Sequence, residues 1–385
     1  MKLVYQTSAN LSSNLLTSNL LFAIMITRVN NTRYLIKEEI VTRPRPTQRQ
    51  IAEEAGVSRT TVSLVLNNVP DVRISPETRQ RILKVAQRLN YYPNATARRL
   101  ASGKTRTIGL VWHRGPNPTY RDAFLPGLLQ GATRAAHNYG YHVLFRPIEP
   151  DEPDSNYVEL ARSHHIDGFI LSGPRSDDQP LLKLHEERFP IVLHGQMPGT
   201  DILSVDIDNV YGAKTAINHL LSLGHREIGI ITNAPLVYTA SQQRLDGYYQ
   251  ALEKAGISKN ENLVQEGNFD GESGQSAMGK LLACNPSSTA VFVASDMVAM
   301  GALKALRDQG LRVPEDIAVV GFDDITVARF VTPALTTVRV PTMGLGWSAA
   351  EILIRLIEQD PIVQTNTLLE TELVIRESCG ALAVQ

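Results

Sequence analysis

Cysteine is nearly missing: the 385 residues contain two, Cys284 and Cys379. Two thiols cannot form the disulfide framework that staples small secreted folds, so a reducing compartment, the cytoplasm, is the expected home. Long apolar runs are also missing. The nearest, LLTSNLLFAIMI in the first 26 residues, is interrupted by Thr, Ser and Asn and is too short to span a bilayer. Lys2 precedes it as in an export signal, but no small-residue cleavage site follows. No membrane is expected as a partner. Catalytic signatures are lacking too: there is no G-x-S-x-G elbow, P-loop or H-E-x-x-H, and scattered Ser, His and Asp do not make a triad, so the chain does not read as an enzyme. His164 and His165 have no ligand partner at metal-binding spacing, and adjacent side chains on a helix diverge. Gly344, Gly346 and Ala349 match G-x-G-x-x-A, but Pro341, Thr342 and Met343 stand where a dinucleotide fingerprint needs an immediate tight turn, which leaves a plain helix start. No metal or cofactor is expected.

What is present is a stretch with clear punctuation, Thr47 to Asn67. Thr47 and Gln50 have capping-box spacing, Gly56 suits the left-handed end of a first helix, and Ser58 suits the N-cap of a second, Arg59 to Leu66. Ile51, Ala55, Val57, Val62 and Val65 can face inward while Arg59, Thr60 and Thr61 are left exposed. Ser75, Pro76 and Asn90 bracket a third helix, with Ile82, Val85, Ala86 and Leu89 as its inner stripe. Two short helices meeting at a tight turn form either a helical hairpin or a DNA-reading helix-turn-helix. Charge favours the latter. The overall balance is −1, yet residues 49 to 104 hold ten Lys and Arg against four Asp and Glu, so a basic head precedes an acidic body.

AEEAGVS-RTTVSLVLN followed by SPETRQRILKVAQRLNYYPNATARRLASGKTRTIGLV resembles the lactose-repressor family (LacI/GalR) of bacterial transcription regulators. The similarity runs without a gap through headpiece and hinge and more loosely to the C-terminus. It implies an N-terminal all-α helix-turn-helix headpiece plus an α/β core of two doubly wound lobes, like a periplasmic sugar-binding protein. Residues 1–46 are then an extension, disordered or reflecting a start codon placed too far upstream, with Met25 as the alternative start. Residues 47–93 are the DNA-binding domain, 94–104 the hinge, and 105–385 the core. Lobe 1 is expected at about 105–204 and 340–366, and lobe 2 at about 205–339 and 367–385. Short β-rich runs alternate with helical stretches beyond Lys104, as parallel sheets require. Candidate strands are 107–112, 141–145, 168–172, 191–194, 227–232, 290–294, 317–322 and 336–340.

Site residues follow partly from position and partly from the resemblance. Ser58, Arg59, Thr60, Thr61, Leu64 and Asn67 are placed to meet operator DNA. Arg59 and Thr60 are expected to select base pairs, whereas Leu64, where some relatives carry Arg, offers apolar contact only. In the hinge, Asn94 suits an N-cap and Ala97, Leu100 and Ala101 share a face, but so short a helix needs DNA and a second copy to form. By resemblance Leu100 wedges into the minor groove, while Asn94, Ala97 and Arg98 complete that contact. In the core, Asp177, Ser295, Asp296 and Asp323 sit at strand ends and Arg244 near a helix start. Carboxylates and a forked Arg suit a hydroxyl-rich effector. The alternative is that Asp296 and Asp324 cap the helices after their strands. His113, Tyr120, Phe124 and His194 are weaker candidates.

The reading is a homodimeric repressor of a near-palindromic double-stranded operator, released by a small sugar-like effector. The alternatives are a corepressor-dependent regulator and a sugar-binding transport protein. ELVIRESCGALAVQ carries no leucine heptad, so a tetramerising coiled coil is not expected.

Overall fold

A computed structural model describes residues 46–67, 72–91, 103–112, 122–148 and 156–381. The chain divides into two compact units, Met1–Tyr92 and Pro93–Gln385.

The described residues of the first unit form three helices on one small core. Helix α1, Gln48–Ala55, starts at a capping box: Gln50 N donates to Thr47 Oγ1 at 3.3 Å and Thr47 N to Gln50 Oε1 at 2.8 Å. Gly56, at φ 65°, ends it in the left-handed conformation. Ser58 Oγ then accepts from Thr61 N at 3.1 Å and opens α2, Arg59–Leu66. Ser75 does the same for α3, Pro76–Arg88, with Pro76 in the first turn where its missing N–H is harmless. Ile51, Val62, Val65, Ile82 and Val85 meet with Ala52, Ala55 and Ala86 in one buried cluster. Each Ile or Val contributes roughly 1.5–3 kcal/mol by leaving water.

The second unit holds two six-stranded sheets. The first is ordered β11-β5-β4-β3-β1-β2, built from β1 Thr107–Trp112, β2 His142–Pro147, β3 Gly168–Ser172, β4 Ile191–His194, β5 Leu203–Ile207 and β11 Asn366–Leu369. All of its pairings are parallel. The second is ordered β12-β10-β9-β8-β6-β7, from β6 Ile228–Ile231, β7 Val264–Gln265, β8 Ala290–Val293, β9 Ala318–Asp323, β10 Thr336–Arg339 and β12 Glu372–Val374. Only β12 runs antiparallel to its neighbour. In each sheet the strand order reverses at the first strand, β1 or β6, which is the doubly wound pattern whose ligands sit beyond the carboxyl ends of the strands.

The chain passes between the sheets after Ile207, after Arg339 and after Leu369. The first and third passages fall a few residues beyond the expected 204 and 367. The cause is that β5 and β11 pair with each other, Ser204 opposite Asn366, through polar-containing segments, LSVDI and NTLL, that lack the apolar run of an internal strand. Helices α4 Leu125–Asn138 and α11 Thr342–Glu358 cover one face of the first sheet. They touch through glycine: a Cβ on Gly346 would lie 2.0 Å from Leu128 O, and one on Gly131 2.0 Å from Met343 O. The G-x-G-x-x-A match is therefore a helix-packing seam. Among the described residues no helix is long and apolar enough to cross a membrane.

Candidate functional site

The carboxyl ends of both sheets converge on one cleft in the second unit. Its walls include Phe124, His194 and Asp206 from the first lobe and Asn233, Tyr238, Arg244, Phe269, Ser295 and Asp323 from the second. Arg244 lies in helix α8 of the core, Thr239–Lys254. The cavity is small, about 50 Å³, because the lobes are bonded across its mouth. Ser176 N donates to Val237 O at 2.9 Å, Thr239 N to Pro174 O at 3.4 Å, and Gln243 Nε2 to Gln196 Oε1 at 3.4 Å. A sugar ring enters only if those contacts part. A larger groove, about 780 Å³, opens at the amino ends of the first sheet, where Arg162 pairs with Glu187 and His185 Nε2 lies 2.7 Å from Asp201 Oδ1.

Three expected effector residues, Arg244, Ser295 and Asp323, line this cleft. The Arg244 guanidinium lies 3.9 Å from the Phe322 ring centroid, donates from Nε to Asn209 Oδ1 at 2.9 Å and from Nη1 to Ala294 O at 2.6 Å, and stands 3.8 Å from Asp323 Oδ1. Asp296 does not line the cleft. It is fully buried, accepting from Thr337 Oγ1 at 2.7 Å and Ile325 N at 3.0 Å, so it ties β8 to β10 rather than facing a ligand or capping its own helix. Burial and the charge of Asp323 raise its carboxyl well above the usual range. Asp177 is also outside the cleft wall: its exposed carboxylate takes two bonds from Arg175, at 2.8 and 2.7 Å. Asp324 likewise acts as a buried anchor, for Arg339 and Arg376, whose hydrogen bonds outweigh burial and hold its carboxyl below the ordinary value.

Of the weaker candidates, Phe124 and His194 both line the cleft, their rings stacked at 5.5 Å, with His194 Nδ1 2.8 Å from Ser172 Oγ. His113 and Tyr120 lie outside the described residues. Several lining residues escaped the sequence reading, among them Tyr238, Phe269 and two buried polar residues, Asp206 and Asn233. Asp206 is the penultimate residue of β5; it accepts from Ile207 N at 2.8 Å and Asn209 Nδ2 at 3.1 Å, and burial pushes its carboxyl up to about 6 despite these bonds and Arg244. Asn233, beyond β6, keeps its buried Oδ1 without a hydrogen-bond partner among the described residues. A polar residue just beyond the apolar strand β6 was the available signal for Asn233, whereas β5 has no apolar run to mark Asp206.

In the first unit, Ser58, Arg59 and Thr60 are exposed at the start of α2 and Asn67 at its end, while Thr61 and Leu64 are half-buried. Arg59 makes no ion pair among the described residues. Thr61 Oγ1 lies 2.8 Å from Ser58 Oγ, and Asn67 Nδ2 donates to Ser63 Oγ at 3.2 Å. The amino end of α2 thus presents a fork of donors on a helix held by local caps. The hinge candidates Asn94, Ala97, Arg98 and Leu100 lie outside the described residues. His164 and His165 are exposed, and no group of three or more metal-ligating side chains occurs among the described residues.

Comparison with known proteins decides what these two units are. Residues 47–94 match the family described as bacterial regulatory proteins, lacI family, and residues 217–379 match a periplasmic binding protein-like domain. The HTH-type transcriptional regulator CelR of Thermobifida fusca is 36% identical over 339 residues, 87% of this chain and 99% of that one. The chain belongs to the LacI family. The HTH-type transcriptional repressor CytR of Escherichia coli is 33% identical over 87% of this chain and 97% of that one. Among solved structures, a CelR–cellobiose complex matches with a TM-score of 0.68 and 35% identity, over 87% of this chain and all of that one. A lac repressor dimer bound to operator and the anti-inducer ONPF matches with a TM-score of 0.76 and 28% identity, over 87% and 99%. This LacI-family chain is a DNA-binding transcriptional regulator with a small-molecule effector domain, not an enzyme.

Proposed function

We propose that the chain is a cytoplasmic homodimeric repressor that holds a near-palindromic operator through two helix-turn-helix units and releases it when a small sugar-like effector binds between the lobes. The observation that carries this is the cleft itself, where the carboxyl ends of two doubly wound sheets present Arg244, Ser295 and Asp323 beside Phe124 and His194. CelR is seen with cellobiose and the lac repressor as an operator-bound dimer, which supports the same pairing of ligand and assembly here. A ligand acts on operator affinity only through a difference in its binding to two arrangements of the lobes. The few bonds across the cleft mouth make such a difference feasible. Dimerisation has a further support in the second lobe, where Phe330 is 74% and Val327 46% exposed beside an apolar groove of Met300, Leu303, Val313 and Val331. Exposed apolar surface of that kind suits a self-complementary contact.

The test uses an operator selected from random duplex DNA and a panel of neutral sugars, with operator release followed by fluorescence anisotropy. At least one sugar should release the wild-type protein. Asp323→Asn should keep operator affinity and lose release, since Asp323 faces the cleft. Equal release of wild type and variant at the same sugar concentration would remove Asp323 from the effector site.

A further inference from the structure

Resting on that effector reading, we infer that the cleft selects an uncharged, hydroxyl-donating ligand and rejects sugar acids and sugar phosphates. The reason is an excess of acceptors on both walls. Asp206 presents a buried carboxylate from the first lobe and Asp323 another from the second. Each carboxylate oxygen has two lone-pair sites, and the two oxygens of Asp206 each receive one bond from the described residues, from Ile207 N and Asn209 Nδ2. Asn233, 6% exposed on the same wall, adds a carbonyl oxygen with no donor among the described residues. A buried acceptor left without a donor is costly, so a ligand that brings a hydrogen to Asn233 Oδ1 is favoured, and the second lone pair of each Asp206 oxygen can accept another.

Among the described residues the cationic side gives little counterweight. Arg244 is the one Lys or Arg among the described residues of the cleft wall. Its guanidinium is already held by Asn209, the Ala294 carbonyl, the Phe322 face and Asp323. Arg175, whose guanidinium lies 6.0 Å from the ring centroid of cleft-lining Tyr238, is bound to Asp177, and Arg339 and Arg376 are bound to Asp324. An incoming carboxylate or phosphate would therefore meet two acidic side chains in a confined, poorly hydrated space. It would also bring further acceptors to a surface that needs donors. Neutral hydroxyls meet both requirements, and Asp206 in particular acts as a specificity residue facing the ligand from the first lobe.

Matched pairs test this on the full chain by isothermal titration: galactose with galactose 6-phosphate, ribose with ribose 5-phosphate, and cellobiose with cellobionate. Any sugar that binds should lose about tenfold or more in affinity when the charged group is introduced. Asp206→Asn, which replaces a charged acceptor by an amide that also donates, should narrow that gap. A charged member binding as tightly as its neutral partner overturns the inference while leaving a sugar effector in place. If Asp206→Asn leaves the gap unchanged, Asp206 is not the specificity residue. Failure of every neutral and every charged sugar to bind would instead overturn the sugar-effector reading, and this inference with it.

Discussion

In the headpiece Arg59 and Thr60 stand exposed at the start of α2 on a helix whose first turn Ser58 caps, whereas in the core Arg244, Asp206 and Asp323 are buried among each other's partners. The two regions hold functional side chains in opposite ways. An exposed Arg retains its hydration until it meets a base edge, so little folding energy depends on it. A buried ionic cluster has already lost its water, and its charges persist only because each is bonded. Substitution should therefore read out as altered recognition in the headpiece and as altered stability as well as recognition in the core.

The largest expected effect tests the buried side of that contrast. Arg244→Met keeps much of the side-chain volume but strips Asn209 and Ala294 O of their donor and leaves Asp323 without its neighbouring cation. Breaking one partner of a buried pair typically costs about 3–5 kcal/mol. Urea unfolding of the core should show a loss of that order, and adding Asp323→Asn should restore part of it because the uncompensated charge is gone. A loss below about 1 kcal/mol, the range of an exposed pair, would erase the distinction between the two regions.

The same contrast explains what the sequence disclosed. Caps act over three residues: Thr47 with Gln50, Ser58 with Thr61 and Ser75 with Thr78 all appear in the sequence as they do in the structure. The headpiece and the eight apolar strands were legible for that reason. The strands β5, β7, β11 and β12 were not, because polar residues interrupt β5 and β11, β7 and β12 are only two and three residues long, and pairing partners such as Ser204 and Asn366 are remote in sequence. The cleft was half legible. Strand-end position placed Ser295 and Asp323 on its wall, but position alone could not tell that Asp296 turns inward to Thr337 and Ile325, or that Asp177 folds back onto Arg175. Asp206 sits in a strand that the apolar pattern does not mark, so it was missed with the strand.

A smaller effect is expected in the headpiece. Arg59→Ala removes a side chain that packs against nothing charged among the described residues, so the unfolding of the headpiece should hardly change. Against operator variants, however, it should cost about 1–3 kcal/mol at one base pair per half-site and flatten the preference there. Equal losses on every sequence would make Arg59 a phosphate contact, and a marked loss of stability would place it with the core residues instead.

The smallest effect is a pH dependence carried by Asp206. Its carboxyl titrates at about 6 in the folded core, because burial raises it, against about 3.9 in an unfolded chain. Between those values the folded state holds the extra proton, so this group lowers stability as pH rises through that window, and its full penalty is present above pH 6. Asp206→Asn keeps an acceptor for Ile207 N and removes the titration. Relative to wild type, the variant should therefore gain about 1 kcal/mol of unfolding free energy between roughly pH 5 and pH 7.5, while titrating groups common to both proteins cancel. Paired urea titrations at the two pH values measure it. A difference between the two proteins that stays constant with pH would mean that Asp206 is solvated like an exposed carboxylate, and the core would then share the headpiece's way of holding charge at this position.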